Sequence, residues 1–227
     1  FYSTNTDNHM CAMEYIYFAR PDSVVEGINV HAFRKATGSI LAREDKDLHA
    51  DIVIGVPDSS LSAAIGYAEE AGIPFETGLI KNRYIGSTFI RPTEQQRMQG
   101  MRVRLNAISS VVKDKRVYLV DDSVVKGFTS RRICQLLKEA GAKEVHLRIA
   151  SPMLKYPCLY GADSTAQKDL AAFNYTVDEM EQLFQVDSLR FLSVEDFKKC
   201  VPETSCLACC TGECPEDLQD YKDEVKE

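Results

Sequence analysis

The 227-residue sequence has no apolar run long enough to cross a membrane; its longest stretches reach about eight residues, against the ~20 that a bilayer span requires. It has no basic, apolar, small-residue leader, so nothing directs secretion, and a cytoplasmic protein away from membranes is expected. Positive charge is in deficit, with 27 Lys plus Arg against 34 Asp plus Glu and a net charge of −7. That balance argues against a broad nucleic-acid surface and leaves room only for a local basic pocket. No GxxxxGK[ST] run occurs, which excludes a Walker phosphate loop. There is no low-complexity tract, and no repeat beyond a β-loop-α pattern.

What is present is an ordinary globular balance, 44% apolar and 27% charged, enough to bury a core without disulfide staples. Eight cysteines without a leader indicate reduced thiols or metal ligands. Residues Phe1 to Met10 are polar and irregular and lack an initiator Met, which reads as a piece of a longer polypeptide. Glu14 to Phe18 (EYIYF) has strand character and is stopped by Arg20-Pro21-Asp22-Ser23. Asn29 suits the cap of a helix reaching about Arg43, with Val30, Phe33, Ile40 and Leu41 on its apolar face.

Three short apolar runs then repeat one arrangement. Asp51 to Val56 is followed by the loop PDSS and a helix from Leu61 to Ala71, ended by Gly72. Arg116 to Val120 is followed by an acidic loop and a helix from about Thr129 to Ala140, stopped by Gly141, and Glu144 to Ala150 is the third run. Strands alternating with helices predict right-handed crossovers and an α/β, doubly wound parallel sheet. Between the first two units, residues 81–106 are basic and carry Lys81, Arg83, Arg91, Arg97, Arg102 and Arg104, with little apolar periodicity. A connection this long inside a compact domain is functional or mobile. Residues 165–200 read as amphipathic helix with a short strand near Leu189 to Leu192, and the acidic end from Pro215 to Glu227 reads as frayed.

The most informative stretch is Val117 to Ser130 (VYLVDDSVVKGFTS). Ligands of open α/β sheets bind beyond the carboxyl ends of the strands, where Asp121 and Asp122 fall. Ser123 to Ser130 then runs into a helix start, where backbone N–H groups, the Gly127 turn and the Thr129 and Ser130 hydroxyls suit a phosphate monoester. The two carboxylates suit ribose hydroxyls or a hard cation such as Mg²⁺. Together these describe a phosphorylated sugar. Read alone, Asp-Asp-Ser also fits a simple helix cap.

The full pattern of four apolar residues, two acids and a Gly-Thr-Ser helix start resembles the phosphoribosyl pyrophosphate signature of type I phosphoribosyltransferases. VPDSS at 56–60 resembles that family's pyrophosphate loop, and Lys81 to Gln99 its hood over the site. In order along the chain, CAMEYIYFARPDS (11–23), IGVPDSS (54–60), LIKNRYIGSTFIRPT (79–93), VDDSVVKGFTS (120–130), SPMLKYPCLYGAD (151–163) and CLACCTG (206–212) are similar to the phosphoribosyltransferase half of the amidophosphoribosyltransferase family. The resemblance implies a type I phosphoribosyltransferase fold with a cysteine-rich C-terminal extension. It divides the chain into a leading segment 1–23, a core 24–165 and an extension 166–227, with the family's glutaminase domain absent.

It also implies a reaction, the displacement of pyrophosphate from phosphoribosyl pyrophosphate by ammonia to give 5-phosphoribosylamine. Mg²⁺ falls to Asp121, Asp122 and Ser59. Substrate contacts fall to Asp58, Ser59, Asp121, Asp122, Ser123, Lys126, Gly127, Thr129 and Ser130, and charge neutralisation of the leaving group to Lys81 and Arg83. Purine nucleotides are implied as inhibitors, a glutaminase domain or chain as partner, and a homo-oligomer as the assembly. A phosphoribosyl pyrophosphate or nucleotide sensor that no longer reacts is the alternative reading.

Cys206 and Cys209 form a C-x-x-C with Cys210 and Cys214 nearby, a spacing that admits zinc, an iron–sulfur cluster or a redox pair. The resemblance implies a structural 4Fe–4S cluster on Cys11, Cys158, Cys206 and Cys209. Cys134, on a helix face with Ile133 and Leu137, reads as core. Three positions depart from the family pattern: Phe128 stands for Thr or Asn, Lys126 for Arg, and Ser87 for Arg. Each exchange weakens a phosphate contact.

Overall fold

The structure, a computed structural model, describes residues 9–45, 49–81, 105–162 and 165–215. Arg83, Ser87, Arg91, Arg97, Arg102 and Arg104 lie outside these described residues, as do all but the first residue of the 215–227 tail and most of the hood.

Four parallel strands form the central sheet in the order β3 (Ile52–Gly55), β6 (Arg116–Asp121), β7 (Glu144–Ile149), β8 (Ser188–Phe191). The register pairs Ile52 with Val117, Asp121 with Ile149 and Ile149 with Phe191. β8 lies beyond residue 165 yet completes this sheet. Two antiparallel pairs flank it. β1 (Val24–Val25) and β2 (Ile28–Asn29) are joined by Glu26 and Gly27, both at positive φ, as a two-residue hairpin turn demands. β4 (Leu79–Lys81) pairs with β5 (Leu105–Ala107), so the two ends of the 82–104 connection are tied together.

Alternation along the strands divides the core. Ile52, Ile54, Val117, Leu119, Val145, Leu147 and Ile149 face one side, where helices α3 (Phe128–Glu139) and α4 (Val177–Phe184) supply Ile133, Leu137, Met180 and Phe184. Val53, Tyr118 and Val120 face the other, against α1 (Val30–Arg43), α2 (Leu61–Ala71) and Phe197 of α5 (Val194–Lys198). Cys134 is fully buried, as its helix face predicts. Asn29 caps α1 by accepting from the Ala32 N–H at 3.0 Å, and Gly72 ends α2 in the left-handed region. α1 and α2 meet backbone to backbone, since a Cβ on Gly38 would strike the Ala63 carbonyl and one on Gly66 the Lys35 carbonyl.

The same face holds a buried ionic network. Arg148, wholly buried on β7, binds Asp45 with Nε and, at 3.0 Å, with Nη2. Asp45 also accepts from Tyr67 Oη at 2.5 Å, and the guanidinium lies 5.2 Å from the Tyr118 ring centroid. The loop after α1 is thereby fastened to the middle of the sheet.

One expected element differs. Glu14–Phe18 is not a strand but a single π-helical turn, closed by the Ala19 N–H donating to the Glu14 carbonyl at 3.0 Å. Its burial does not alternate: Tyr15 and Ile16 are buried together, whereas Tyr17 and Phe18 are exposed together. Arg34 supplies the reason, because its guanidinium takes the Tyr15 and Ala19 carbonyls at 2.8 and 2.9 Å and so holds the segment in a turn. Tertiary partners outweigh the β-propensity of aromatic and branched side chains.

Candidate active site

β6 ends at Asp121, and the chain turns there through Asp122 and Ser123 to Gly127 and the start of α3. Asp121 is 6% exposed and Asp122 9%, so both carboxylates are taken largely out of water. Each is met by a hydroxyl from the neighbouring β3–α2 loop. Ser60 donates to Asp121 Oδ1 at 3.0 Å, and Ser59 donates to Asp122 Oδ2. Asp121 Oδ1 also accepts the Asp122 N–H at 2.9 Å, and Ser123 donates to Asp122 Oδ1 at 2.8 Å.

Burial, and after it the adjoining Asp122 charge, push the Asp121 carboxyl up to about 8. Burial also raises Asp122, opposed by the Ser59 and Ser123 hydroxyls and by Arg34. Two acids held side by side in a dry site carry a proton readily, and a cation in that position takes its place. Hard carboxylate and hydroxyl oxygens are the donors that Mg²⁺ takes, so Asp121, Asp122 and Ser59 fit such an ion.

Gly127 sits at φ 79 and has no side chain with which to cap α3. A helix start without a cap leaves first-turn N–H groups available to an anion. Phe128, Thr129 and Ser130 line the same cavity, of about 1090 Å³, as Ser59 and both acids. Phe128 is 56% exposed, so the ring projects from the position where a polar side chain was looked for. Lys126 also lines the cavity, with its Nζ 2.9 Å from Asp169 Oδ2. Lys81 Nζ lies 3.1 Å from Asp58 Oδ2, which joins the β4 edge to the VPDSS loop. The peptide between Pro57 and Asp58 is cis. Ser59, Asp121, Asp122, Ser123, Lys126, Gly127, Thr129 and Ser130 thus line one cavity, whereas Asp58 and Lys81 pair with each other and are not among its lining, and Arg83 is outside the described residues.

The four cysteines singled out above also converge. Cys11 and Cys206 form an isolated parallel bridge, with the Ala12 N–H donating to the Cys206 carbonyl at 3.0 Å and the Cys206 N–H to Met10 at 2.8 Å. Cys11, Cys158, Cys206 and Cys209 all line the large cavity, and none of the four is in a disulfide. Cys11 is pushed up by burial first and then by Cys209, Cys206 and Cys158. Among the described residues no three ligating side chains close on a single metal ion. A cluster instead needs four thiolates spaced around a cage, and this donor set fits that chemistry.

Two residues of the site escape sequence reasoning. Ser60 was read only as part of a loop, and its bond to Asp121 depends on the β3–β6 pairing. Arg34 did leave a signal: it shares the buried stripe of α1 with Val30, Phe33, Thr37 and Leu41, a cation where an apolar residue is the rule.

A parallel sheet with paired acids at a strand end and an anion cradle after them defines a phosphoribosyltransferase. Residues 29–172 match the phosphoribosyl transferase domain family, and the chain belongs to it. More particularly, it is 51% identical over 231 residues to the amidophosphoribosyltransferase of Bacillus subtilis (strain 168), covering 99% of this chain and 48% of that protein. It is 48% identical over 211 residues to the amidophosphoribosyltransferase of Archaeoglobus fulgidus, covering 91% and 46%. The solved glutamine phosphoribosylpyrophosphate amidotransferase of B. subtilis, complexed with ADP and GMP, superposes with a TM-score of 0.86 at 52% identity, over 96% of this chain and 50% of that one. The chain thus spans about half the length of the relatives it matches.

Proposed function

We propose that this chain is the phosphoribosyltransferase half of a purine-biosynthesis amidotransferase, which displaces pyrophosphate from phosphoribosyl pyrophosphate with ammonia to give 5-phosphoribosylamine. The observation that carries the reading is the acid pair and the uncapped α3 start within one cavity.

Asp121 and Asp122 take the ribose hydroxyls, and the loop from Ser123 through Lys126 and Gly127 to Thr129 and Ser130 seats the 5-phosphate. Asp58 and Ser59 belong to the pyrophosphate end, where Lys81 and Arg83 offset the charge that develops as the C1–oxygen bond breaks. Asp121, Asp122 and Ser59 would hold Mg²⁺, which when bound would supply further neutralisation of the leaving pyrophosphate. Ammonia brings its own lone pair to C1 as the C1–oxygen bond breaks, and the ammonium so formed gives its extra proton to the departing pyrophosphate, so no side chain need act as base. The residues position the reactants and exclude water.

Cys11, Cys158, Cys206 and Cys209 would hold a structural 4Fe–4S cluster, which would tie the leading segment and the cysteine-rich C-terminal extension to the core. On this reading residues 1–23 lead in, 24–165 form the core, and 166–227 form an extension that also contributes β8. A glutaminase domain or chain delivers ammonia, the assembly is a homo-oligomer, and the setting is the cytoplasm. No described helix is long and apolar enough to cross a membrane. Purine nucleotides act as inhibitors, a reading supported by the ADP and GMP bound to the B. subtilis relative.

The test is pyrophosphate release from phosphoribosyl pyrophosphate with Mg²⁺ and ammonium chloride. Release that scales with ammonium is expected, and tight binding without release would replace the enzyme by a sensor.

A further inference from the structure

The chemistry above makes no use of Arg34, although it is 3% exposed on the buried stripe of α1. Its Nε and Nη2 donate to the Tyr15 and Ala19 carbonyls, within and just past the π-helical turn. Neither partner is a countercharge. A buried guanidinium whose hydrogen bonds among the described residues go to carbonyls is expensive to keep, so the carboxylate that answers its charge matters. That carboxylate is Asp122, which lines the same small cavity as the guanidinium.

The two side chains share a second, separate cavity of about 10 Å³, lined also by Ser59, Thr37 and Ala150. It has room for at most a single water. Ser59 and Asp122 line both this small cavity and the large one. Asp122 is therefore a partition: one side of it looks toward the ligand site and the other toward Arg34.

We propose that Arg34 is a positioning residue of the ligand site, a fixed buried cation that backs Asp122 and thereby couples the Glu14–Phe18 turn to the groups that bind ligand. This rests on the reading that Asp122 takes part in holding the metal and the phosphorylated pentose. A fixed positive charge behind Asp122, in a region of low dielectric, opposes the entry of a bare divalent cation. It favours a metal–diphosphate unit whose net charge is negative. The site would then discriminate by total ligand charge, and Arg34 would set that preference without touching the ligand.

The experiment compares wild type with Arg34→Gln, which keeps a donor but loses the charge, with Arg34→Lys, which keeps the charge, and with Asp122→Asn. Calorimetric titration is done with Mg²⁺ alone and with phosphoribosyl pyrophosphate plus Mg²⁺. Arg34→Gln is expected to weaken binding of the complete ligand roughly tenfold, while leaving Mg²⁺ alone no weaker, and Arg34→Lys, which keeps the charge but cannot span both carbonyls, to lose clearly less than Arg34→Gln. A lesion that merely loosened the fold would affect both substitutions and both titrants alike, and that result overturns the proposal.

Unfolding in denaturant without ligand gives an independent reading. The loss of folding constant in Arg34→Gln should shrink about tenfold when Asp122→Asn is already present, because the countercharge has gone. If Arg34→Gln does not fold, the double variant should fold; failure of that rescue, or an additive cycle, also overturns the proposal. Normal ligand binding by Asp122→Asn would remove the site reading itself. Loss in Asp122→Asn with normal binding in Arg34→Gln would remove only the role of Arg34.

Discussion

Ser60 Oγ donates a hydrogen bond to Asp121 Oδ1 at 3.0 Å across 61 positions of sequence. With the Ser59–Asp122 bond beside it, the loop after β3 is locked to the loop after β6 at the carboxyl edge of the sheet. Asp121→Asn and Asp122→Asn preserve volume but remove the charge. Each is expected to weaken binding of phosphoribosyl pyrophosphate with Mg²⁺ by at least ten- to a hundredfold, about 1.5–3 kcal/mol for a lost charged hydrogen bond. Titration calorimetry reads this directly, and near-normal affinity in both variants would withdraw the assignment.

The same burial gives stability a definite pH dependence. Folded Asp121 keeps its proton up to about 8, whereas an unfolded aspartate loses it near 3.9. Between those values the folded state binds more protons, so its contribution to stability is largest at low pH and is lost as pH rises through that window. Asp121→Asn removes this slope. The difference in melting temperature between variant and wild type should grow in the variant's favour from about pH 5 to about pH 9, by a few degrees for each ~1 kcal/mol. A constant difference would contradict the burial argument.

Gly127 is constrained twice, by φ 79 and by Phe184, whose Cε1 would lie 2.8 Å from an added Cβ. Gly72 has a similar φ of 66 and open space around it. Gly72→Ala therefore costs only the backbone term, about 1–2 kcal/mol. Gly127→Ala costs that plus the displacement of a core ring. Denaturant melts should rank Gly127→Ala as clearly the less stable, and equal losses would mean that Phe184 yields without cost.

Asp45→Ala leaves wholly buried Arg148 without its carboxylate. A loss of about 3–5 kcal/mol is expected from urea unfolding. Replacing the pair together by apolar residues of similar volume should recover most of it, since burying two charges was costly in the first place.

If the cysteines hold a cluster, protein purified without oxygen is brown and carries about four irons per chain. Cys158→Ser should abolish the iron, whereas Cys134→Ser, a change in the core, should leave the iron-to-protein ratio unchanged in whatever folds. A colourless protein with stoichiometric zinc would displace the cluster.

The parallel sheet was legible because its strands are short apolar runs, each followed by a helix, with Gly72 and Gly141 as stops. Asp121 and Asp122 were legible because strand-end acids before a glycine helix start form a local pattern. Glu14–Phe18 was misread because its hydrogen-bond partners come from Arg34, which the sequence places one helix away. Ser60 was passed over for a related reason, since strand pairing decides which hydroxyl meets which acid. Periodicity offers no link between Cys11, Cys158 and the Cys206 turn, which line one cavity; only the likeness of the six ordered segments implies one.

Backbone bonds between residues 10–12 and Cys206 stitch the two extremities of the described chain into one seam. Trimming the protein from its far end back past residue 205 would therefore also unfasten its near end.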